Sequence, residues 1–226
     1  MSYRAGVVIL ACLTSSLSAW SLPAGAISVA LELGRTPDFV SNSDWNQQVL
    51  TAGAAHALSQ PVTNTTQDTL SMGAAVGYGL THVGPIDLAL ELGYRDLGQQ
   101  TQATRWQSGT HETLSNRLRY GRLDLGYEWP LWPQTMSLLA RTGVAAITDR
   151  SEYNSSIAND SPFSASERAT RPYLAAGVAF GGAMAQLQLL LEHIGLPQTT
   201  ATPLAGGTVA MRSAVNVITL AGMLAF

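Results

Sequence analysis

The chain has 226 residues, of which 12% are charged and 21 are glycine, and its formal net charge is -3. The charged share is about half that of an ordinary soluble domain, and an acidic balance without a basic cluster argues against nucleic acid as a partner. The mean hydropathy is +0.12, yet the sequence has no run of about 18 apolar residues that would form a transmembrane helix. These features favour a β-protein of a membrane over a soluble enzyme.

The first 26 residues have the features of a signal peptide. Arg4 supplies the positive charge, residues 5–13 form a short apolar segment, and the Ala-Gly-Ala sequence at 24–26 fits a small-x-small cleavage site. Cleavage after Ala19 is the alternative. We therefore expect a signal peptide at 1–26.

Eight segments of the remaining chain, 27–226, alternate between bulky apolar residues and small or polar ones. This period of two is typical of β-strands that have two different faces. The bulky faces, which carry no charge, take every second residue of 27–33, 70–80, 86–94, 123–129, 136–146, 172–180, 187–191 and 218–226.

The opposite faces combine glycine and alanine with charged residues. A soluble barrel would place its bulky residues inside, whereas small and charged residues suit a narrow polar lumen with the bulky side chains facing lipid. The pattern predicts an all-β transmembrane antiparallel up-and-down β-barrel of eight strands. A soluble eight-stranded ligand carrier is the alternative.

The connections between the segments are alternately long and short. The long polar connections are expected at about 35–69, 96–116, 148–168 and 195–211, and the short turns lie near Pro85, Pro130 and Gly182. Because bacterial barrels have short periplasmic turns and long outer loops, this pattern places the turns and both termini in the periplasm. The predicted inner aromatic girdle is Tyr78, Tyr127, Trp129, Trp132 and Phe226; Tyr94, Trp106 and Tyr120 lie at or beyond the outer one.

Two stretches fit the alternation poorly. Leu118 and Tyr120 are in phase with Arg122 on the polar face, which a bulge near Gly121 or a strand rising above the membrane would explain. In the last segment the inner face would be the less polar set Val217, Thr219, Ala221 and Met223.

The predicted lumen contains enough opposite charges for an ion-pair network. Counting along the strands places Glu32, Glu91, Asp124 and Arg141 near one level, and buried charges require partners. We expect Arg141 to be the centre of this network and to bind the other three. Further members above and below are expected to be Asp87, Arg95, Arg122, Glu128, Arg171 and Glu192.

Residues 171–180, Arg-Pro-Tyr-Leu-Ala-Ala-Gly-Val-Ala-Phe, carry a family resemblance. They are similar to the x-Pro-Tyr-x-Gly-x-Gly-x-Gly-Tyr strand of small outer-membrane β-barrels of the outer-membrane protein A transmembrane-domain and opacity-protein type. The resemblance implies an integral outer-membrane protein surrounded by outer-membrane lipids and lipopolysaccharide. It also implies recognition by the barrel-assembly machinery through a C-terminal signal, whose positions are occupied here by Thr219, Ala221, Leu224 and Phe226.

Three functions remain open at this point. The favoured one is a non-enzymatic barrel with a plugged lumen that serves membrane integrity or surface interaction through its loops, of which the first carries Phe39 and Trp45 as possible anchors for an extracellular ligand. The others are a narrow channel for ions or small solutes and a lipid A-modifying enzyme.

Few residues support an enzyme or a cofactor site. The nearest catalytic candidates are His111-Glu112-Thr113 and Glu192-His193, and Ser115 is a conceivable nucleophile near His111. The histidine spacing offers no metal pair. We therefore expect no catalytic site, no cofactor and no metal.

Overall fold

The computed structural model describes residues 24–36, 61–66, 69–106, 108–132, 135–156, 162–182, 184–196, 200–201, 209–210 and 214–226. Eight long strands account for most of them, and three short strands lie between. In chain order the strands are β1 (Ile27–Thr36), β2 (Pro61–Thr66), β3 (Thr69–Val83), β4 (Ile86–Trp106), β5 (His111–Trp132), β6 (Met136–Ser155), β7 (Phe163–Gly182), β8 (Ala185–Gly195), β9 (Thr200–Ala201), β10 (Val209–Ala210) and β11 (Ala214–Ala225).

The eight long strands close into a ring. Consecutive long strands pair antiparallel from β3 to β8, β8 pairs with β11, and β1 lies between β11 and β3. The predicted all-β, eight-stranded, up-and-down barrel is therefore confirmed. Closure satisfies the backbone groups that an open sheet would expose to lipid.

Burial alternates along the eight long strands as the sequence pattern predicted, with a change of phase on β4 at Gly98. On β1, Leu31 is 69% exposed whereas Glu32 is 1% exposed. The last strand follows the same rule, because Val217, Thr219, Ala221 and Met223 are buried and the intervening residues are exposed. Bulky apolar side chains thus cover the outside of the barrel.

The strands differ greatly in length, and this difference corrects two predicted loops. β4 to β7 have 20 to 22 residues, whereas β1, β8 and β11 have 10 to 12. Most of 96–116 and 148–168 is therefore paired strand rather than loop, and more exposed side chains still alternate with buried ones along these segments. We call the paired segments 97–106, 111–119 and 148–155 the extension. The short strand β2 pairs with the β4 segment of the extension.

A β-bulge lies on β4 rather than near Gly121. The pairing of β4 with β5 shifts between Asp96 and Gly98, whereas both pairings of Gly121 are regular. Gly98 has a φ of 84°, a left-handed conformation that glycine adopts without strain in such bulges. Leu118 and Tyr120 need no bulge, because both side chains are buried on the lumen side, beside other apolar residues of the interior.

Several predicted features lie wholly or largely outside the described residues. Residues 1–23 of the predicted leader do so, as do Phe39 and Trp45 in the first loop and most of 195–211. The last three residues assigned to the leader, 24–26, are described. The N–H of Gly25 donates to the carbonyl of Gly79 at 2.8 Å, and the carbonyl of Ala26 accepts from the N–H of Gly79 at 2.9 Å.

Candidate functional site: the barrel lumen

Glycines on β3 and β4 create the space in which the long lumen side chains lie. Gly93 is directly opposite Arg122, and a Cβ at Gly93 would come within 2.9 Å of the Arg122 guanidinium carbon. A Cβ at Gly73 would lie 3.1 Å from both a Glu32 carboxylate oxygen and the Cβ of Arg95. The small residues of the polar face are therefore what allows arginines to cross the lumen.

Arg122 occupies the centre of the charged network. Its guanidinium donates to both carboxylate oxygens of Glu32, at 2.9 and 2.7 Å, and to Asp124 at 2.8 Å. A longer contact of 3.4 Å joins it to Glu91. A bidentate arginine–carboxylate pair fixes direction as well as distance. The Arg122–Glu32 pair therefore holds β1 and β5 together across the lumen.

Arg95 links the Glu32 carboxylate to β8 and to the C-terminal strand β11. It lies 3.0 Å from Glu32 and donates to Glu192 at 2.6 Å and to the Thr219 hydroxyl at 2.6 Å. The Tyr120 hydroxyl donates to the other oxygen of Glu192 at 2.8 Å. Arg95 on β4 thereby connects β1, β8 and β11, the strands that meet where the ring closes.

Arg141 binds fewer of the expected partners than Arg122 does. It contacts Glu91 at 2.9 Å and Glu32 at 3.7 Å, and it donates to Gln188 at 2.7 Å. No ion pair among the described residues joins it to Asp124, which binds Arg122 instead. The geometry therefore places Arg122, not Arg141, at the centre, because the Arg122 side chain extends along the lumen to reach carboxylates at a different level.

The outlying members of the predicted network have other environments. Asp87 pairs with His82, and Glu128 accepts a hydrogen bond of 3.0 Å from Gln186. Arg171 is half-buried and packs over Gly195, and the ion pairs within the described ranges do not include it. The network proper consists of Glu32, Glu91, Arg95, Arg122, Asp124, Arg141 and Glu192.

An apolar cluster lies directly above this network, at the end of the barrel that carries the long connections. We call it the loop-end cluster. The Tyr173 ring lies 5.3 Å from the guanidinium carbon of Arg122, a cation–π distance, and 6.4 Å from the Tyr120 ring. The cluster comprises Leu97, Trp106, Leu114, Leu118, Tyr120, Ala145, Ile147, Tyr153, Tyr173, Ala175, Ile194, Leu196, Val215 and Val217.

The sequence interpretation missed this cluster because it assigned much of it to loops. Trp106 and Tyr120, expected at or beyond the outer girdle, are 2% and 1% exposed and lie inside. The sequence did contain a sign of it: Leu118 and Tyr120 alternate in phase with Arg122, which places their side chains on the lumen face of the strand. Apolar side chains from six strands meet here. Buried polar side chains lie among the same strands, including Gln102, Asn116 and Asp149, so apolar and polar groups together fill the lumen at this level.

The opposite end of the lumen is less completely filled. A cavity of about 450 Å³, its open mouth included, lies between the network and the short turns. Asp87, Glu91, Glu128, Arg141 and Gln188 contribute to its lining. The lumen thus has a polar chamber at its turn end and an apolar closure at its loop end.

The outer surface carries the predicted aromatic residues at two levels. Tyr78, Trp129 and Phe226 are exposed near the turn end, and Tyr94 is exposed near the loop end. The Trp132 side chain is outside the described set. Of the residues matching the C-terminal signal, Leu224 and Phe226 are exposed, whereas Thr219 and Ala221 are buried in the lumen.

Beyond Tyr94 the outward face becomes charged. Asp96, on the bulge, accepts hydrogen bonds from Arg117 at 2.6 Å and Arg119 at 3.0 Å, and from the Gly98 N–H at 2.9 Å. Partial burial alone would raise the pKa of Asp96, but the Arg117 hydrogen bond and the other donors outweigh it and hold this pKa below its ordinary value.

The catalytic candidates are not brought together. His111 and Ser115 are four residues apart on one strand, a separation of about 13 Å along β5, and the Ser115 hydroxyl lies 3.1 Å from that of Thr101. Glu192 points into the lumen, whereas its neighbour His193 is outside and lies 2.8 Å from the Asn216 side-chain oxygen. Neither pair has the contact that nucleophilic catalysis requires.

Two further findings concern the described ranges alone. No helix in them has the length and apolar character needed to cross a membrane. They also contain no group of three or more His, Cys, Asp or Glu side chains arranged to hold a metal ion.

Comparison with solved structures returns small barrels at low identity. Ail, the attachment invasion locus protein of Yersinia pestis, is 10% identical over 90% of this chain and 99% of its own, with a TM-score of 0.42. The N-terminal β-barrel domain of Pseudomonas aeruginosa OprF is 14% identical over 88% and 97%, with a TM-score of 0.42. Pseudomonas aeruginosa OprG is 8% identical over 92% and 99%, with a TM-score of 0.47.

Comparison at the level of sequence gives a more direct result. A search of curated proteins returns no match. The family model described as the OmpA-like transmembrane domain matches residues 42–192, which are 151 of the 226 residues. The chain therefore belongs to the family of OmpA-like transmembrane domains and is an integral β-barrel protein of the bacterial outer membrane.

Proposed function

We propose that this protein is a non-enzymatic barrel whose lumen does not conduct, and that it serves membrane integrity or surface interaction through the end carrying the long connections. The observation that carries the proposal is the loop-end cluster. It places fourteen buried residues across the lumen, most of them above the ion-pair network. An eight-stranded barrel has an interior just wide enough for side chains, and here the apolar cluster fills it together with buried polar side chains such as Gln102 and Asp149.

The orientation we propose follows the family pattern of short periplasmic turns and longer outer connections. Both ends of the barrel sequence, Ile27 and Phe226, lie at the turn end, where their backbones exchange hydrogen bonds of 3.2 and 2.8 Å. The extension then stands above the outer surface. Contacts with outer-membrane lipids, lipopolysaccharide or an extracellular ligand belong to that side.

Conductance in planar lipid bilayers tests the closed lumen. We expect the folded protein to insert without producing single-channel steps. The variant Leu118→Gly/Tyr120→Gly, which removes two large side chains from the loop-end cluster, serves as the opened comparison and should produce steps. Reproducible steps from the unmodified protein would favour the alternative of a narrow channel for ions or small solutes.

The chamber of about 450 Å³ at the turn end favours this channel alternative. A continuous path would require the apolar groups above Arg122 to separate. Equal conductance of the unmodified protein and the opened variant would therefore show that the cluster is no barrier.

The absence of an enzymatic activity is part of the proposal. It is supported by the separation of His111 from Ser115 and by the opposite directions of Glu192 and His193. We expect no release of acyl chains from lipid A by the protein in micelles. Turnover that is lost in His111→Ala would contradict this part of the proposal.

A further inference from the structure

One side of β7 has no neighbouring strand at its loop end. β7 pairs with β6 from Phe163 to Phe180. Its pairing with β8 begins only at Tyr173, because β8 is a much shorter strand and ends at Gly195. Within the described part of the chain, no strand therefore lies on this side of residues 163–172. We call residues 163–172 the β7 edge.

The β7 edge offers backbone groups that β6 does not use. In an antiparallel pair, every second residue directs its N–H and its carbonyl away from the partner strand. The pairing of the β7 edge with β6 has no register shift, so these groups point in one direction along about 30 Å of strand. The backbone hydrogen bonds that described residues make outside the regular strands involve none of them. A further strand can therefore be added to β7 here.

The opposite side of the same sheet is covered. There, β2 pairs with residues 102–106 of β4. Covering is one way to keep an edge strand from pairing with another chain, and prolines or bulges within the strand are others. The β7 edge has no bulge, and its one proline, Pro172, stands at the end nearest the barrel. The β7 edge thus keeps the features of a strand that can accept a neighbour.

The β7 edge lies at and beyond the level of the outer aromatic residue. One row across the outward face of β4 to β7 consists of Tyr94, Gly121, Ala146 and Thr170. The positions before 170 on β7 lie further towards the loop end. Ser164, Ala165 and Ser166 are exposed in succession, so both faces of the strand are accessible there. In the proposed orientation, an approaching polypeptide meets this edge in water rather than in lipid.

Arg168 gives the β7 edge a charge preference. Its side chain is exposed on the outward face, and its partner on β6 is the uncharged Thr148. The ion pairs on this face of the described strands join other arginines. On an added strand, an acidic side chain opposite Arg168 would form a cross-strand pair, whereas a basic one would be repelled.

We propose that the β7 edge binds an extended segment of an extracellular protein as an added β-strand. Main-chain hydrogen bonds provide the affinity, and an acidic side chain opposite Arg168 provides the selection. The small neighbours Ser164 and Ser166 leave the other positions of the segment tolerant of many side chains. The proposal deepens the surface interaction proposed above and rests on the loop end facing outwards.

Amide hydrogen exchange, followed residue by residue by NMR in non-ionic detergent, tests the added strand. The probe is a peptide of about ten residues in which threonine and valine alternate around one central glutamate. Without peptide, every second amide of 164–171 should exchange at least tenfold faster than the amides of 173–180, which β6 and β8 cover on both sides. Saturating peptide should slow the exchange of these fast amides at least tenfold. The same peptide with its central amides N-methylated cannot donate these hydrogen bonds and should leave the exchange unchanged.

Arg168→Glu tests the charge preference. Fluorescence anisotropy at low ionic strength gives the Kd of the glutamate peptide and of a counterpart with lysine in its place. The unmodified protein should bind the glutamate peptide at least threefold more tightly, and Arg168→Glu should reverse this order. Arg105→Glu is the matched control, because Arg105 is also exposed but lies on β4, three strands away. It should keep the preference of the unmodified protein, and heat-dependent gel mobility verifies that each variant is folded.

Four results would overturn the proposal. Slow exchange of the whole β7 edge without peptide would mean that another part of the chain covers it, and exchange that slows as the protein concentration rises would assign it to a second copy. Equal protection by the N-methylated peptide, or an unchanged preference in Arg168→Glu, would exclude the added strand or its charge selection. Single-channel steps in planar bilayers would contradict the closed lumen without affecting these measurements, so the two proposals fail separately.

Discussion

The lumen has two buried halves of different chemistry. Around Arg122, guanidinium and carboxylate groups bind each other across the barrel; above Tyr120 the loop-end cluster forms an apolar half, beside which buried polar side chains such as Asn116 and Asp149 also lie. The charged half is directional, because each ion pair needs a partner at one distance and angle. The apolar half depends on volume alone. The ion pairs of the charged half therefore fix which strands meet, and the apolar half closes the lumen.

The largest expected effect comes from removing the centre of the charged half. Arg122→Met leaves Glu32 and Asp124 buried without their closest cation, and breaking a buried pair in this way costs about 3–5 kcal/mol. The measurement is the free energy of unfolding from urea titration in detergent micelles. Arg105→Met, at an exposed arginine, should change it by less than about 0.5 kcal/mol. Similar effects in the two variants would show that the network is not stabilising.

The apolar half should respond less strongly to a comparable truncation. Leu118→Ala creates a cavity among fully buried neighbours, and such changes cost about 2–5 kcal/mol. Leu123→Ala, five residues along the same strand, removes the same atoms from an exposed position. Because lipid can occupy the vacated space there, we expect a loss below about 1 kcal/mol. Equal losses, measured by the same titration, would mean that the loop-end cluster is loosely packed.

The space that Gly93 leaves for the Arg122 side chain can be tested by adding a single methyl group. In Gly93→Ala the new Cβ would lie 2.9 Å from the Arg122 guanidinium carbon, and overpacking of this kind costs about 1–3 kcal/mol. Gly222→Ala makes the same change where no other atom lies within 4 Å, so its stability should be unchanged or slightly higher. A Gly93→Ala protein as stable as Gly222→Ala would show that Arg122 can relocate freely.

The smallest effect concerns the exposed ion pairs of Asp96, outside both halves of the lumen. The pKa of Asp96 in the folded protein is held below its ordinary value. The ionised carboxylate therefore adds to the free energy of unfolding at any pH above the unfolded pKa of about 3.9, and this stabilisation is lost as the pH falls through the lower folded pKa. The difference in unfolding free energy between the unmodified protein and Asp96→Asn should therefore be positive near neutral pH and vanish under strong acid. A difference independent of pH would exclude the charge interaction as its cause.

The two halves also differed in how well the sequence predicted them. Glu32, Glu91, Arg95, Asp124 and Arg141 are buried. The sequence predicts their side of the strand because charges beside glycines contrast with a bulky outer face. The cluster above them offered no such contrast. On β4 the bulge at Gly98 also reverses the alternation, so that Gln100 and Trp106 point inwards. A polar stretch whose phase changes has the composition of a loop although it is a paired strand.

The sequence by itself determined the number of strands, the face that meets lipid and the charged residues of the lumen. These are local properties, since a period of two assigns each side chain to a face without reference to other strands. Only the tertiary structure decided which charges meet. Partners from β1, β4, β5, β6 and β8 converge through the stagger between strands and the reach of each arginine. The space at Gly93, on the neighbouring strand, places Arg122 rather than Arg141 at the centre.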